Sequence, residues 1–140
     1  MFRSWLPAKP YAFVIMPIGD PEMERWYADL RERLSSQSLD CFRSDELLSG
    51  FAGRTMLDGI HELIRRADIV IAEVTHDNRN VLYELGFAVA AGKDPIVVAT
   101  GRDELPTDLQ GLFTCDRSGL MRAVFSRMDG NELAILLSLA

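Results

Sequence analysis

Ala67-Asp68-Ile69-Val70-Ile71-Ala72-Glu73-Val74-Thr75 is the stretch on which the fold turns. Ile69 to Ala72 are apolar without alternation, and three of the four are β-branched. A strand reads this way when neither side of its pleat meets water. The spacing predicts a helix before it, from Thr55 to Arg66, with Ile60, Leu63 and Ile64 on the apolar side. A second helix is expected after it, from Asn80 to Ala91, closed by Gly92.

Further out, Tyr11 to Met16 is a short apolar run ended by Pro17 and Gly19. A helix follows from Pro21 or Glu22 to Ser36, with Pro21 and two acids suited to its first turn. Trp26, Leu30 and Leu34 recur there at helical spacing, with Tyr27 beside them. Asp40 to Arg43 is a short strand, and the polar, glycine-bearing stretch Ser44 to Gly53 reads as a loop. Pro95 to Thr100 and Leu112 to Cys115 are further strands. A last helical region starts near Ser118 and runs to the end, with a break at Gly130. Strands alternating with helices predict an α/β domain spanning residues 1–140. Its architecture is three layers, a doubly wound, parallel, five-stranded sheet of flavodoxin-like order 2-1-3-4-5. Ligands of such sheets bind beyond the carboxyl ends of the strands, at the switch point between strands 1 and 3. The loops Met16 to Pro21 and Thr75 to Asn80 are therefore expected to meet.

Composition narrows the function. The chain has 140 residues, 48% hydrophobic and 26% charged, with a formal net charge of -6. That length supports one core without disulfide or metal staples. The negative charge disfavours a broad nucleic-acid face, which needs many phosphate neutralisations, but leaves a local site for a small anion open. Cys41 and Cys115 are far apart and form no CxxC pair, so a zinc ribbon and a redox motif are unsupported, and two free thiols fit a reducing cytoplasm. Residues 1–10 read as no signal peptide, and the longest apolar run is far short of a membrane span. Neither GxGxxG nor GxxxxGK[ST] is present. His61-Glu62 begins like HExxH, but Arg65 stands where the second histidine belongs, so no metal site is expected.

One residue stands apart. From Val81 to Ala91 everything is apolar or glycine except Glu84, with Tyr83 the other side chain bearing a polar atom. A helix apolar all round is buried on all sides, so this one is expected to lie between the sheet and another surface, a second subunit among the options. Gly86 would admit a close neighbour. A carboxylate there is costly unless paired or hydrogen-bonded. The structural reading is a helix-start acid, or a partner for Arg43, Arg54 or Arg79. The functional reading is a glycosyl-transfer carboxylate. Cleaving a C–N glycosidic bond builds positive charge on the anomeric carbon, which a carboxylate stabilises or attacks. The helix N-terminus is expected to keep it ionised.

The 67–75 stretch, followed by Asn78, Asn80, Tyr83-Glu84-Leu85-Gly86 and Ala88, resembles the nucleoside 2-deoxyribosyltransferase superfamily. Within it, the likeness is closest to the 2'-deoxynucleoside 5'-phosphate N-hydrolases and to TIR-like nucleotide-binding relatives, which the opening Phe13-Val14-Ile15-Met16-Pro17-Ile18-Gly19 resembles most. The resemblance covers residues 11–100. It implies that Glu84 is the catalytic glutamate, and that Asn78 and Asn80 occupy substrate-binding positions. It further implies that Pro17, Ile18 and Gly19 line the pocket, and that the chain forms a homodimer or higher homo-oligomer. Two departures are plain. The turn after the first strand has Asp20 and no arginine where the hydrolases have an Arg- and Gly-rich turn, and Ile60 falls where the family carries another acid.

Other polar residues at the predicted edge leave two readings each. Arg43 and Asp45 touch a ribose or base, or solvate a loop. Thr75 belongs to the loop expected at the switch point. Glu73 holds the Asn78 loop or accepts from a ligand, and His76 is a solvated loop histidine or a general base. Asp68, Tyr11, Phe13 and Trp26 are read as structural. The function expected is an N-glycosidase or glycosyltransferase acting on a nucleoside or nucleotide, without cofactor, membrane or nucleic-acid polymer. The rival readings are a non-catalytic TIR-like nucleotide sensor and an NAD-cleaving effector.

Overall fold

A computed structural model describes residues 7, 8, 10–47, 53–100 and 105–128. Five strands form one parallel sheet of order β2-β1-β3-β4-β5, the predicted order: β1 (Tyr11–Ile15), β2 (Asp40–Phe42), β3 (Ile69–Glu73), β4 (Ile96–Val98) and β5 (Thr114–Cys115). Among the described residues, five α-helices connect or follow them: α1 (Pro21–Ser35), α2 (Ser44–Leu47), α3 (Gly53–Arg66), α4 (Arg79–Ala90) and α5 (Leu120–Met128).

The central pair explains the layering. β1 and β3 run in register from Ala12 opposite Ile69 to Ile15 opposite Ala72, and every residue of both strands is buried. Side chains of a strand alternate between faces. Tyr11, Phe13, Ile15, Val70 and Ala72 therefore pack with Leu63, Ile64 of α3 and Val81, Leu85 of α4. Ala12, Val14, Ile69 and Ile71 pack with Leu30, Leu34 of α1 and Val124 of α5. A continuous apolar run thus forces helices onto both sides, because either bare face would leave β-branched side chains in water.

Several sequence expectations are refined by the structure. Residues 44–47 form the short helix α2 rather than loop, because Glu46 reaches back to accept from the Arg43 N–H at 3.0 Å, half of a capping box. In α1 the buried stripe is Met23, Tyr27, Leu30 and Leu34: the two leucines are buried as expected, while Tyr27 rather than Trp26 faces the sheet and Trp26 is only half-buried. In the single chain α4 is not covered all round: Val81, Leu85 and Ala88 face the sheet, while Tyr83 is 54% and Val89 36% exposed. Within the single chain, a Cβ at Gly86 would meet nothing within 4 Å. The final region opens with a 3-10 turn, Arg117–Gly119, before α5, and the expected break at Gly130 lies outside the described residues.

Glu73 is the one fully buried charge among the described residues. Its Oε1 accepts from the Thr75 N–H at 2.7 Å and its Oε2 from Arg117 Nε at 3.0 Å. Arg117 also pairs with Glu22 at 3.2 Å and lies 5.4 Å over the Trp26 ring. The structural reading of Glu73 holds: it ties the end of β3 to α1 and to the turn after β5. Asp68 is structural as well, accepting from the Tyr11 N–H at 2.9 Å. Removing one member of a buried ion pair strands the other without solvent. Arg117→Met is expected to cost about 3 kcal/mol of stability, read by urea unfolding. Glu73→Gln, which leaves no buried charge behind, costs less.

Candidate functional site

The loops after β1 and β3 meet beyond the carboxyl ends of those strands, as the topology predicts. Gly19 makes the first turn possible with φ of 99°, a conformation that a side chain opposes. Asp20 then caps α1, its Oδ1 accepting from the Met23 N–H at 3.0 Å, and Pro21 takes the first helical position. At the second loop, Asn78 caps α4, its Oδ1 accepting from the Val81 N–H at 3.1 Å.

Between these loops and α3 lies a cavity of about 480 Å³. Met16, Pro17 and Ile18 form one side of it, and Met56, Leu57 and Ile60 of α3 form another. Asn78, Asn80, Tyr83 and Glu84 enter from the start of α4, and Ser44 from α2. Of the residues singled out from sequence, Pro17, Ile18, Asn78, Asn80 and Glu84 thus share one hollow. Gly19 shapes the turn beside it without lining it.

Arg43, Asp45 and Thr75 are elsewhere. Arg43 is held by Glu24, with Nη2 to Oε1 at 2.8 Å, and by Asp45 at 2.8 Å, and lies 4.7 Å over the Tyr27 ring. It borders a separate hollow of about 490 Å³ between α1 and α2, where Arg31 and Tyr27 both bond Glu46. Thr75 and the exposed His76 line a third, of about 510 Å³, with Asp116 and Arg117. Among the described residues, no group of three or more His, Cys, Asp or Glu is placed to hold a metal ion. No helix there is long and apolar enough to cross a membrane.

Glu84 is the chemically distinctive group. Among the described residues none makes a hydrogen bond or ion pair with its carboxylate, and Arg43 is committed to other acids. Burial alone pushes the Glu84 carboxyl up to about 7. The expected help from the helix N-terminus is not enough to keep it ionised. α4 begins at Arg79, so Glu84 stands beyond the first turn, where the dipole's influence has faded. A carboxyl in this state exchanges its proton near neutral pH and, when ionised, is a poorly hydrated oxygen base facing a cavity.

Met56, Leu57, Ser44 and Tyr83 line the hollow without having been marked as site residues by the sequence. The first two carried a signal: they extend the α3 apolar stripe a turn beyond Ile60, further than the core needs, and are 39% and 36% exposed. His61 also proves more than helix surface. Its ring lies parallel to Phe87 at 3.8 Å, and its Nε2 is 3.3 Å from the Tyr83 hydroxyl.

No family model matches the chain, and no curated protein matches it by sequence. Solved structures do match. A 2-deoxyribosyltransferase from Bacillus psychrosaccharolyticus is 16% identical with a TM-score of 0.67, covering 88% of this chain and 95% of that enzyme. A 2-deoxyribosyltransferase from Leishmania mexicana is 20% identical with a TM-score of 0.54, covering 66% of this chain and 65% of that one, so the match falls short of two thirds of its length. A CMP N-glycosidase from Clostridium botulinum is 19% identical with a TM-score of 0.52, covering 64% and 71%. The parallel sheet, its strand order and these matches give the chain the fold of the 2-deoxyribosyltransferases, in agreement with the superfamily that its sequence resembles.

Proposed function

We propose that the protein cleaves or transfers the N-glycosidic bond of a nucleoside or nucleotide in the cavity between the β1 loop, α3 and α4, with Glu84 as nucleophile or oxocarbenium stabiliser. The observation that carries this reading is the desolvated Glu84 carboxyl, facing a hollow of about 480 Å³. That volume suits a nucleoside-sized ligand.

In the covalent form of the reaction, a Glu84 oxygen attacks the anomeric carbon as the C–N bond breaks. The bonding pair stays on the base nitrogen, which takes up a proton from solvent, and the acceptor that arrives next returns a proton to solvent. Water or a second base then displaces the carboxylate, giving hydrolysis or transfer. In the non-covalent form, the ionised carboxylate offsets the charge of the oxocarbenium ion while the acceptor attacks. Either way the half-buried carboxylate is less shielded by water than an exposed one, which strengthens its pull on a developing cation. Asn78, its Oδ1 occupied by the helix cap, offers its amide nitrogen as a donor to the sugar or phosphate. Asn80 and the Pro17–Ile18 backbone complete the polar lining.

The test is a panel of ribo- and 2'-deoxyribonucleosides, their 5'-phosphates and NAD, followed for released base. The wild type is expected to release base from at least one, and Glu84→Gln to lose at least 100-fold, on the order of one missing electrostatic stabiliser. Full release by Glu84→Gln overturns the proposal, and binding without release points to a sensor.

The titration gives a second expectation. Only the ionised form works, so kcat/KM rises about tenfold per unit as pH increases toward about 7 and levels off above it. Stability moves the other way. The folded-state value lies above the ordinary 4.5, so the neutral carboxyl is accommodated below that pH, and the cost of a buried charge grows as pH rises through about 7. Glu84→Gln is therefore expected to melt like the wild type at pH 4 and above it at pH 8, in paired thermal scans.

A further inference from the structure

We propose that Tyr83 is the residue by which the cavity discriminates among nucleobases, and that His61 is its positioning residue. The proposal rests on reading the cavity as a nucleoside site. The two walls of the cavity differ in chemistry. Met56, Leu57 and Ile60 make the α3 wall apolar, whereas Glu84, Asn78 and Asn80 stand at the start of α4. A sugar, rich in hydroxyls, belongs with the polar groups. A flat, weakly hydrated base belongs against the apolar wall, where it needs a polar group to fix its edge.

Tyr83 brings such a group there. Its hydroxyl is drawn toward α3 by His61, which directly follows Ile60 of the apolar wall, with oxygen and Nε2 3.3 Å apart. Tyr83 is 54% exposed, so packing alone does not select one orientation of the phenol. The imidazole supplies the missing restraint. It is held between two rings of α4, parallel to Phe87 at 3.8 Å and inclined 28° to Tyr83 at 6.2 Å. Arg65 lies 5.2 Å from the Phe87 ring centre, so the column is braced from α3 as well. His61 does not itself line the cavity and acts through the phenol. With Nε2 as acceptor, the phenol presents lone pairs to a base N–H. With Nε2 as donor, it offers its proton to a base nitrogen or carbonyl. Either tautomer gives one hydrogen bond that suits some base edges and leaves others unpaired, which is how a site tells bases apart.

Tyr83→Phe, His61→Phe and the double variant are compared with His61→Gln on adenosine, guanosine, cytidine and uridine, their 2'-deoxy forms and the 5'-phosphates of both sets, by kinetics and by calorimetric binding to the Glu84→Gln protein. His61→Phe keeps a ring against Phe87 and removes the nitrogen. Each single change is expected to lower kcat/KM for the preferred base about tenfold, mostly through KM, as one hydrogen bond implies. The preference between ribo and deoxy forms of that base stays fixed. The double variant is no worse than Tyr83→Phe, and His61→Gln recovers most of the loss. Multiplicative losses, an unchanged base preference, or equal losses for every base overturn the assignment. If the wild type binds nucleosides without releasing base, the catalytic reading fails alone and the calorimetric base preference still decides the role of Tyr83. If it binds none, both fall.

Discussion

Burial of the central strands on both faces is the constraint from which the rest follows. Neither side of β1 or β3 reaches solvent, so the chain must place helices above and below the sheet. Connections between parallel strands have one hand, and a change of face between successive crossovers opens a crevice. The crevice is the cavity that holds Glu84. Its position is thus a by-product of how apolar residues are hidden, before any side chain in it is considered.

Within that crevice, function and stability pull apart. The core residues of α4, Val81, Leu85 and Ala88, are spent on the sheet, and Glu84 shares their helix without any described group to neutralise it. Glu73, an equally unlikely charge in a more deeply buried place, shows the contrast. It has a backbone donor and a guanidinium, and both of its oxygens are occupied. One carboxylate is embedded to be satisfied, and the other is left unsatisfied beside open space. That difference in environment, more than residue type, separates scaffold from candidate chemistry.

Much of this was legible in the sequence because it depends on local pattern. Continuous apolar runs announced the strands, and their alternation with helices pointed to a parallel sheet, for which 2-1-3-4-5 is the commonest order. The solitary acid of α4 was visible against its neighbours, and topology brought the loops that carry Pro17, Ile18, Asn78 and Asn80 together, whereas the place of Glu84 beside them came with the family resemblance. What escaped depends on partners distant in the chain. Arg43, Asp45 and Thr75 also lie at the carboxyl edge, but pairing with Glu24 draws Arg43 and Asp45 toward α1, and the hold of Glu73 on the Thr75 amide accompanies a different hollow. Nothing periodic marks a four-residue helix such as α2. The stacked contact of His61 with Phe87 joins two helices whose pairing no spacing rule reveals.

The Arg117 clasp has a bearing on how the chain matures. It joins the turn after β5 to Glu22, near the start of the described fold, and to Glu73 at the centre of the sheet. A polypeptide emerging from the ribosome makes Glu73 well before its guanidinium exists. Until then, driving that carboxylate into the interior carries its full dehydration penalty. Closure of the sheet around β3 is therefore coupled to synthesis of the segment that carries Arg117, and nascent chains stopped short of it retain an incentive to stay open.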